Sequence, residues 1–89
     1  MFLNEKACKI LIALRELGQA NITSVARAAN ANVGHTSNTL VKAMLQGYVE
    51  RERVDGEVLV KLTRKGVIMS YILEEALEKI EKMEAEVGE

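Results

Sequence analysis

Apolar residues recur at Ala7, Ile10, Leu11, Leu14 and Leu17, the three-then-four spacing that lines one face of an α-helix. Asn4 ahead of them can cap this first helix, and Gly18 behind them suits its left-handed end. After a short connector, Thr23 is the expected cap of a second, short helix holding Val25, Ala26, Ala28 and Ala29. Asn30, Ala31 and Asn32 interrupt it, and asparagine's tolerance of left-handed backbone makes this a turn. A third helix is predicted from Val33 or Gly34 to Leu45, with Val33, Leu40, Val41, Met44 and Leu45 as its apolar members and Gly47 as its end. Two β-prone runs, YVERERV and EVLVKL, then flank Asp55-Gly56. That dipeptide suits a two-residue type I′ hairpin, in which both central residues take positive φ. Thr63 reads as the cap of a long last helix running toward Val87, with Gly88 as its end.

The order helix, helix, helix, hairpin, long helix predicts a mainly α fold with a small β-hairpin. Two short helices joined by a tight turn make a helix-turn-helix, and a hairpin after it makes a wing. The segments ITSVARAANANVGHTSNTLVKAMLQGYVERE and DGEVLVKLTRKG resemble winged-helix transcription regulators of the MarR, ArsR and PadR type. Gly47 to Arg51 (GYVER) is similar to the GLVER step from recognition helix to wing, and Leu62 to Gly66 (LTRKG) to the LT.KG that closes the wing. The resemblance spans nearly the whole chain and implies a DNA-binding protein that pairs through terminal helices. One departure is Ala43, where those families often carry Leu or Val; a rotated or shorter recognition helix stays open.

The 89 residues suffice for one domain and one modest core. Residues 1–89 are therefore read as a single winged-helix domain, with 1–66 holding the helix-turn-helix and wing and 67–89 the C-terminal dimerisation helix. An apolar share of 48% with 28% charged residues fits a globular chain, not a disordered one. No apolar run approaches the roughly 20 residues of a bilayer span, and residues 1–8 lack a signal-peptide core. A cytoplasmic, nucleoid-associated protein with no membrane contact is expected. The single cysteine, Cys8, cannot form an internal disulfide and reads as a small core or interface residue.

Net charge is −1, but its distribution is uneven. Residues 17–65 carry seven bases against four acids, whereas 66–89 carry two bases against seven acids. The middle suits a polyanion and the tail does not. Between Gly18 and Tyr48 there is no Asp or Glu, while Arg27 and Lys42 are basic. The run Gly34, His35, Thr36, Ser37, Asn38, Thr39 is small and polar throughout, a composition that makes a mediocre helix but a good hydrogen-bonding face. A recognition helix exposes such a face to base edges. Asn38 can pair with adenine, the methyls of Thr36 and Thr39 can meet thymine, His35 is a further contact, and Lys42 one turn on can reach a phosphate. In the wing, strand alternation puts Arg51 and Arg53 on one face and Glu50 and Glu52 on the other. The arginines fit either the DNA backbone or a cross-strand ion pair such as Arg53 with Glu57. Lys61, Arg64 and Lys65 cluster at the wing's return, as phosphate contacts or as solubilising charges.

One histidine and one cysteine far apart in sequence make no metal-ligand set, and no catalytic constellation or phosphate loop is legible. No enzyme activity, metal or cofactor is expected. Along the last helix Met69, Leu73, Ala76, Ile80, Met83 and Val87 step by four and three, a heptad-like seam. The first half can pack on the first helix, but the second runs past the domain. A second copy would cover it, so Leu73, Leu77, Ile80, Met83 and Val87 are the expected dimer interface. Two-fold pairing would present two recognition helices to a pseudo-palindrome with half-sites roughly 34 Å apart or a multiple of it. The function so read is a dimeric transcription regulator, a repressor by default. An architectural or partition-type DNA protein of low specificity and a protein–protein interaction module are the alternatives.

Overall fold

The computed structural model describes residues 4–87; the expected stop at Gly88 lies outside them. Helix α1 spans Glu5–Leu17, strand β1 Gln19–Ala20, α2 Ile22–Ala29, α3 Val33–Leu45, β2 Val49–Val54, β3 Glu57–Leu62 and α4 Arg64–Val87. The order and register make a winged helix.

Side-chain caps set the helix starts. Asn4 Oδ1 accepts from the Ala7 amide at 2.8 Å, Asn21 Oδ1 from Ser24 at 2.8 Å and Asn32 Oδ1 from His35 at 2.6 Å. The second of these corrects an expectation: α2 is capped by Asn21, not Thr23, which sits exposed inside the first turn. Asparagine is the stronger capping residue, because its oxygen reaches the second and third amides more readily than a threonine hydroxyl. Asn30 ends α2 in left-handed backbone at φ 54°, ψ 48°, and its carbonyl accepts from Lys6 Nζ at 3.0 Å. That bond ties the tight turn to α1. Thr63 caps α4 in two directions: its hydroxyl accepts from the Gly66 amide at 3.1 Å and donates to the Gly47 carbonyl at 2.6 Å.

The hairpin turns at Asp55 and Gly56, with φ of 52° and 81°, as a type I′ turn requires. A strand the sequence pattern does not announce, β1, pairs antiparallel with β3, Gln19 opposite Lys61 and Ala20 opposite Val60. The wing hairpin thus supplies the central strand and one edge of a three-stranded sheet in the order β1-β3-β2. Two residues carry no periodicity, so β1 exists only because β3 offers it a ladder.

The core lies where α1, α2 and α3 meet the sheet. Ile10, Leu11 and Leu14 of α1, Val25 of α2, Leu40 of α3 and Val60 of β3 are fully buried in it. Gly66 holds α4 against the domain. A Cβ there would stand 1.9 Å from the Tyr48 carbonyl oxygen, so only glycine lets the two backbones approach. Arg15 completes the clamp: it pairs with Glu74 at 2.8 Å, donates to Ser70 Oγ at 3.3 Å and lies 4.0 Å from the Tyr71 ring centre. Beyond these contacts α4 projects alone, which accounts for extents of 51 × 24 × 22 Å.

Candidate nucleic-acid interface

The outer surface of α3 is built from its inner one. Thr36, Thr39, Leu40 and Ala43 are buried and follow the i, i+3, i+4, i+7 spacing of a packed stripe. Ala43 therefore belongs to the core, and α3 runs its full length to Leu45 without shortening. Burial overturns two expectations. Thr36 is fully buried and its hydroxyl donates to the Asn32 carbonyl at 2.8 Å, while Thr39 is 4% exposed. Neither methyl faces outward, so neither meets a base. The run from Gly34 to Thr39 reads as wholly solvent-facing because its residues are small and polar, but a threonine can bond back to its own helix and present only its methyl to the core.

What remains outward is Val33, Gly34, Asn38, Val41, Lys42 and Leu45, with His35 and Ser37 half-buried at the margins. Three of these are apolar members of the third helix by sequence, yet Val33 is 49%, Val41 48% and Leu45 83% exposed. The apolar pattern completes the stripe with the wrong residues. Counting Thr36, Thr39 and Ala43 as core-formers places the face correctly.

Around this surface the cations are spread unevenly. Arg27 on α2, Lys42 on α3 and Arg51 on β2 are exposed and make no ion pair among the described residues. Strand register places Arg51 opposite Val60 and Arg53 opposite Val58. Since cross-strand partners share a face, both arginines lie on the side of the sheet that buries Val60 in the core. Arg53 Nη1 donates to the Gly56 carbonyl at 3.2 Å. Of the two readings of the wing arginines, the Arg53–Glu57 ion pair does not form: Glu57 lies opposite Val54 and accepts from Asn21 Nδ2 at 3.0 Å. Lys61 is on the other face, opposite Glu50 and 3.5 Å from its carboxylate. Glu52 is on that face too, accepting from Gln19 Nε2 at 3.2 Å. The wing is thus two-sided, with its arginines on the helix side and its acids on the other. Lys61 does not join the arginines. Lys65 is also engaged, donating to the Gln46 carbonyl at 2.9 Å and lying 4.5 Å from the Tyr48 ring centre.

The other expected contacts divide along α4. Leu73 and Leu77 are half-buried, Leu73 against the core, whereas Ile80, Met83 and Val87 are 49%, 53% and 73% exposed. Ile68 and Ile72 are exposed on the same stripe and help line an open apolar groove of about 480 Å³ with Tyr48, Arg64, Lys65 and Met69. Cys8 is buried in α1, and burial pushes its thiol up, away from the reactive thiolate. Among the described residues no cluster of His, Cys, Asp or Glu could hold a metal, and no helix is long and apolar enough to cross a membrane.

The sequence matches no protein-family model and no curated protein. Solved structures do match in fold. A MarR-family transcriptional regulator from Silicibacter pomeroyi is similar at TM-score 0.73 and 21% identity, over 91% of this chain and 59% of that one. A Bordetella bronchiseptica protein, BpsR, whose DNA binding is regulated by 6-hydroxynicotinic acid, is similar at TM-score 0.84 and 20% identity, over 92% and 61%. A DNA-binding protein from Sulfolobus solfataricus is similar at TM-score 0.78 and 17% identity, over 93% and 87%. The chain spans about three-fifths of the first two and most of the third. At these identities the likeness is one of fold.

Proposed function

We propose that this chain is one subunit of a homodimeric, DNA-binding transcription regulator that sets α3 in the major groove and the arginine side of its wing along the flanking backbone. The observation that carries the reading is the outward surface of α3. Asn38 and Lys42 project from a helix fixed at its start by Asn32, within a stretch, Gly18 to Tyr48, that has no acidic residue. A groove lined by phosphates rejects carboxylates and rewards cations. Arg27 and Arg51 stand on neighbouring elements as phosphate contacts, and the regulator and DNA-binding protein of like fold point the same way. His35 is a marginal contact. Binding, not catalysis, is the work of such a surface, and the protein acts on the nucleoid in the cytoplasm.

The dimer reading rests on α4. Ile68, Ile72, Ile80, Met83 and Val87 expose one stripe that water disfavours and a second copy can cover. The helix begins with Arg64 and Lys65 and ends among Glu81, Glu84 and Glu86, so charge favours antiparallel pairing. The partner's helix end then fills the groove beside Tyr48.

Fluorescence anisotropy tests the function, with a random duplex and the gene's own upstream region each titrated at two salt concentrations. Binding that is salt-sensitive and tighter for the upstream DNA supports an autoregulating repressor; no binding to either duplex at low salt removes the reading. Equal salt-sensitive binding to both duplexes, with a footprint that spreads, favours an architectural protein.

A further inference from the structure

Two features of α3 are explained neither by the core nor by attraction to phosphate. The first is Gly34. It occupies the first turn of a helix, where alanine is the better helix former by up to about 1 kcal/mol. Yet a Cβ at this position would meet only Asn32 Oδ1, at an ordinary 3.5 Å, and its φ is not in the left-handed region. Folding does not require this glycine. The second is the pair of valines. Val33 and Val41 are each about half exposed; helical spacing sets Val41 with Gly34 and Asn38 on the outward side, whereas Val33 lies in line with the buried Leu40 and is exposed at the margin because it opens the helix. A surface that meets DNA only by charge would carry lysine or arginine here. This one carries a single formal cation, Lys42, at its margin, and no arginine, the usual partner of guanine.

We propose that this face reads thymine 5-methyl groups, so that the preferred half-site is rich in A·T pairs. The inference rests on the DNA-binding reading above and names what that site recognises. Val41, with the exposed part of Val33 at the margin, supplies apolar contact to the methyls, which project into the major groove at no other standard base. Asn38 offers the bidentate amide that matches adenine N6 and N7. Gly34, lacking a side chain, lets the start of α3 approach the groove floor. Leu45 is 83% exposed but closes α3, about 16 Å along the helix axis from Gly34, and since a recognition helix contacts base edges with its N-terminal residues, it takes no part. Charge selects DNA as the occupant over an apolar protein partner: no acid occurs from Gly18 to Tyr48, and Arg27 and Lys42 flank the valines.

The test compares poly(dA-dT) with poly(dA-dU), which differ only in the 5-methyl group, using the full chain and anisotropy competition at one low salt concentration. Each thymine methyl removed from the valines should weaken binding about fourfold, the worth of one buried methylene-sized group. Val41→Ala, at an exposed position, should keep the melting temperature and narrow the gap between the two polymers. Gly34→Ala should weaken binding to both polymers while the melting temperature holds or rises. Lys42→Ala should weaken both equally and leave the gap intact. Equal affinity of the native chain for the two polymers overturns the inference while leaving DNA binding in place, as does a gap that Val41→Ala does not narrow. Absence of binding to any duplex overturns both this inference and the function it rests on.

Discussion

The two halves of α4 have the same kind of sequence and opposite fates. In the first half Gly66 and Ser70 are buried, Leu73 packs on the core, and Arg15 reaches across to Glu74. In the second half, from Glu78 to Val87, every residue is exposed although Ile80, Met83 and Val87 keep the apolar spacing. Length explains the difference. The 13 residues of α1 extend about 20 Å and the 24 of α4 about 36 Å, so α1 runs out before α4 does. An apolar period announces that a face exists; only the reach of its neighbour decides whether the same chain covers it.

The sharpest way to break the first half is Gly66→Ala. The added carbon has nowhere to go, because what it meets is the Tyr48 backbone and not a movable side chain. The loss should be about 3 kcal/mol or more, the upper range of overpacking costs, read as a fall in urea midpoint. A loss under about 1 kcal/mol would mean that α4 shifts freely on the domain, and the contrast between the halves would dissolve.

The second half breaks differently. Replacing Ile80 and Met83 by Glu should cost the isolated subunit little, since both side chains are already half in water. In the proposed dimer the pair would desolvate four new charges, and the protein should sediment as a monomer. Its melting temperature should then no longer depend on protein concentration. A dimer that survives both substitutions places the contact elsewhere. Intermediate in size is Glu74→Ala, which leaves Arg15, with its side chain 14% exposed, facing Tyr71 and Ser70 alone. We expect a cost of about 1 kcal/mol, above the usual surface ion pair because the arginine is largely buried; the check is thermal melting at low and high salt, with little change between them.

These contrasts also mark what the sequence can disclose. The helices, the hairpin and its Asp55-Gly56 turn are legible because each is a local matter of period and turn chemistry. Strand β1 is not, because its two residues pair only with a ladder about 40 positions away. The recognition surface is legible as a segment and misleading as a face. Thr36 and Thr39 count as polar by composition but as core by position, and Val33 and Val41 the reverse. The glycine of LTRKG draws notice by resemblance alone; its necessity lies in the approach of Tyr48, which no local pattern records.

The smallest expected effect sharpens the comparison most finely. Lys79 pairs with Glu75 one turn earlier at 3.3 Å, with the side chains 75% and 71% exposed. An exposed pair of this spacing is worth roughly 0.3–0.5 kcal/mol, so Lys79→Ala should barely move the melting curve, and alanine's helix propensity offsets part of the loss. The value of so weak a substitution is that it probes one side of the helix. Lys79 lies on the edge of the apolar stripe, between the directions of Ile68 and Ile72. If the partner helix packs centrally along Ala76, Ile80 and Met83, Lys79 stays in water and the effect stays small at every protein concentration. If instead Lys79→Ala lowers the melting temperature by several degrees, and does so more at high concentration than at low, the lysine pairs with a carboxylate of the partner. The seam would then be rotated toward Ile68, and the interface would run along the outer edge of the groove beside Tyr48 in place of its floor.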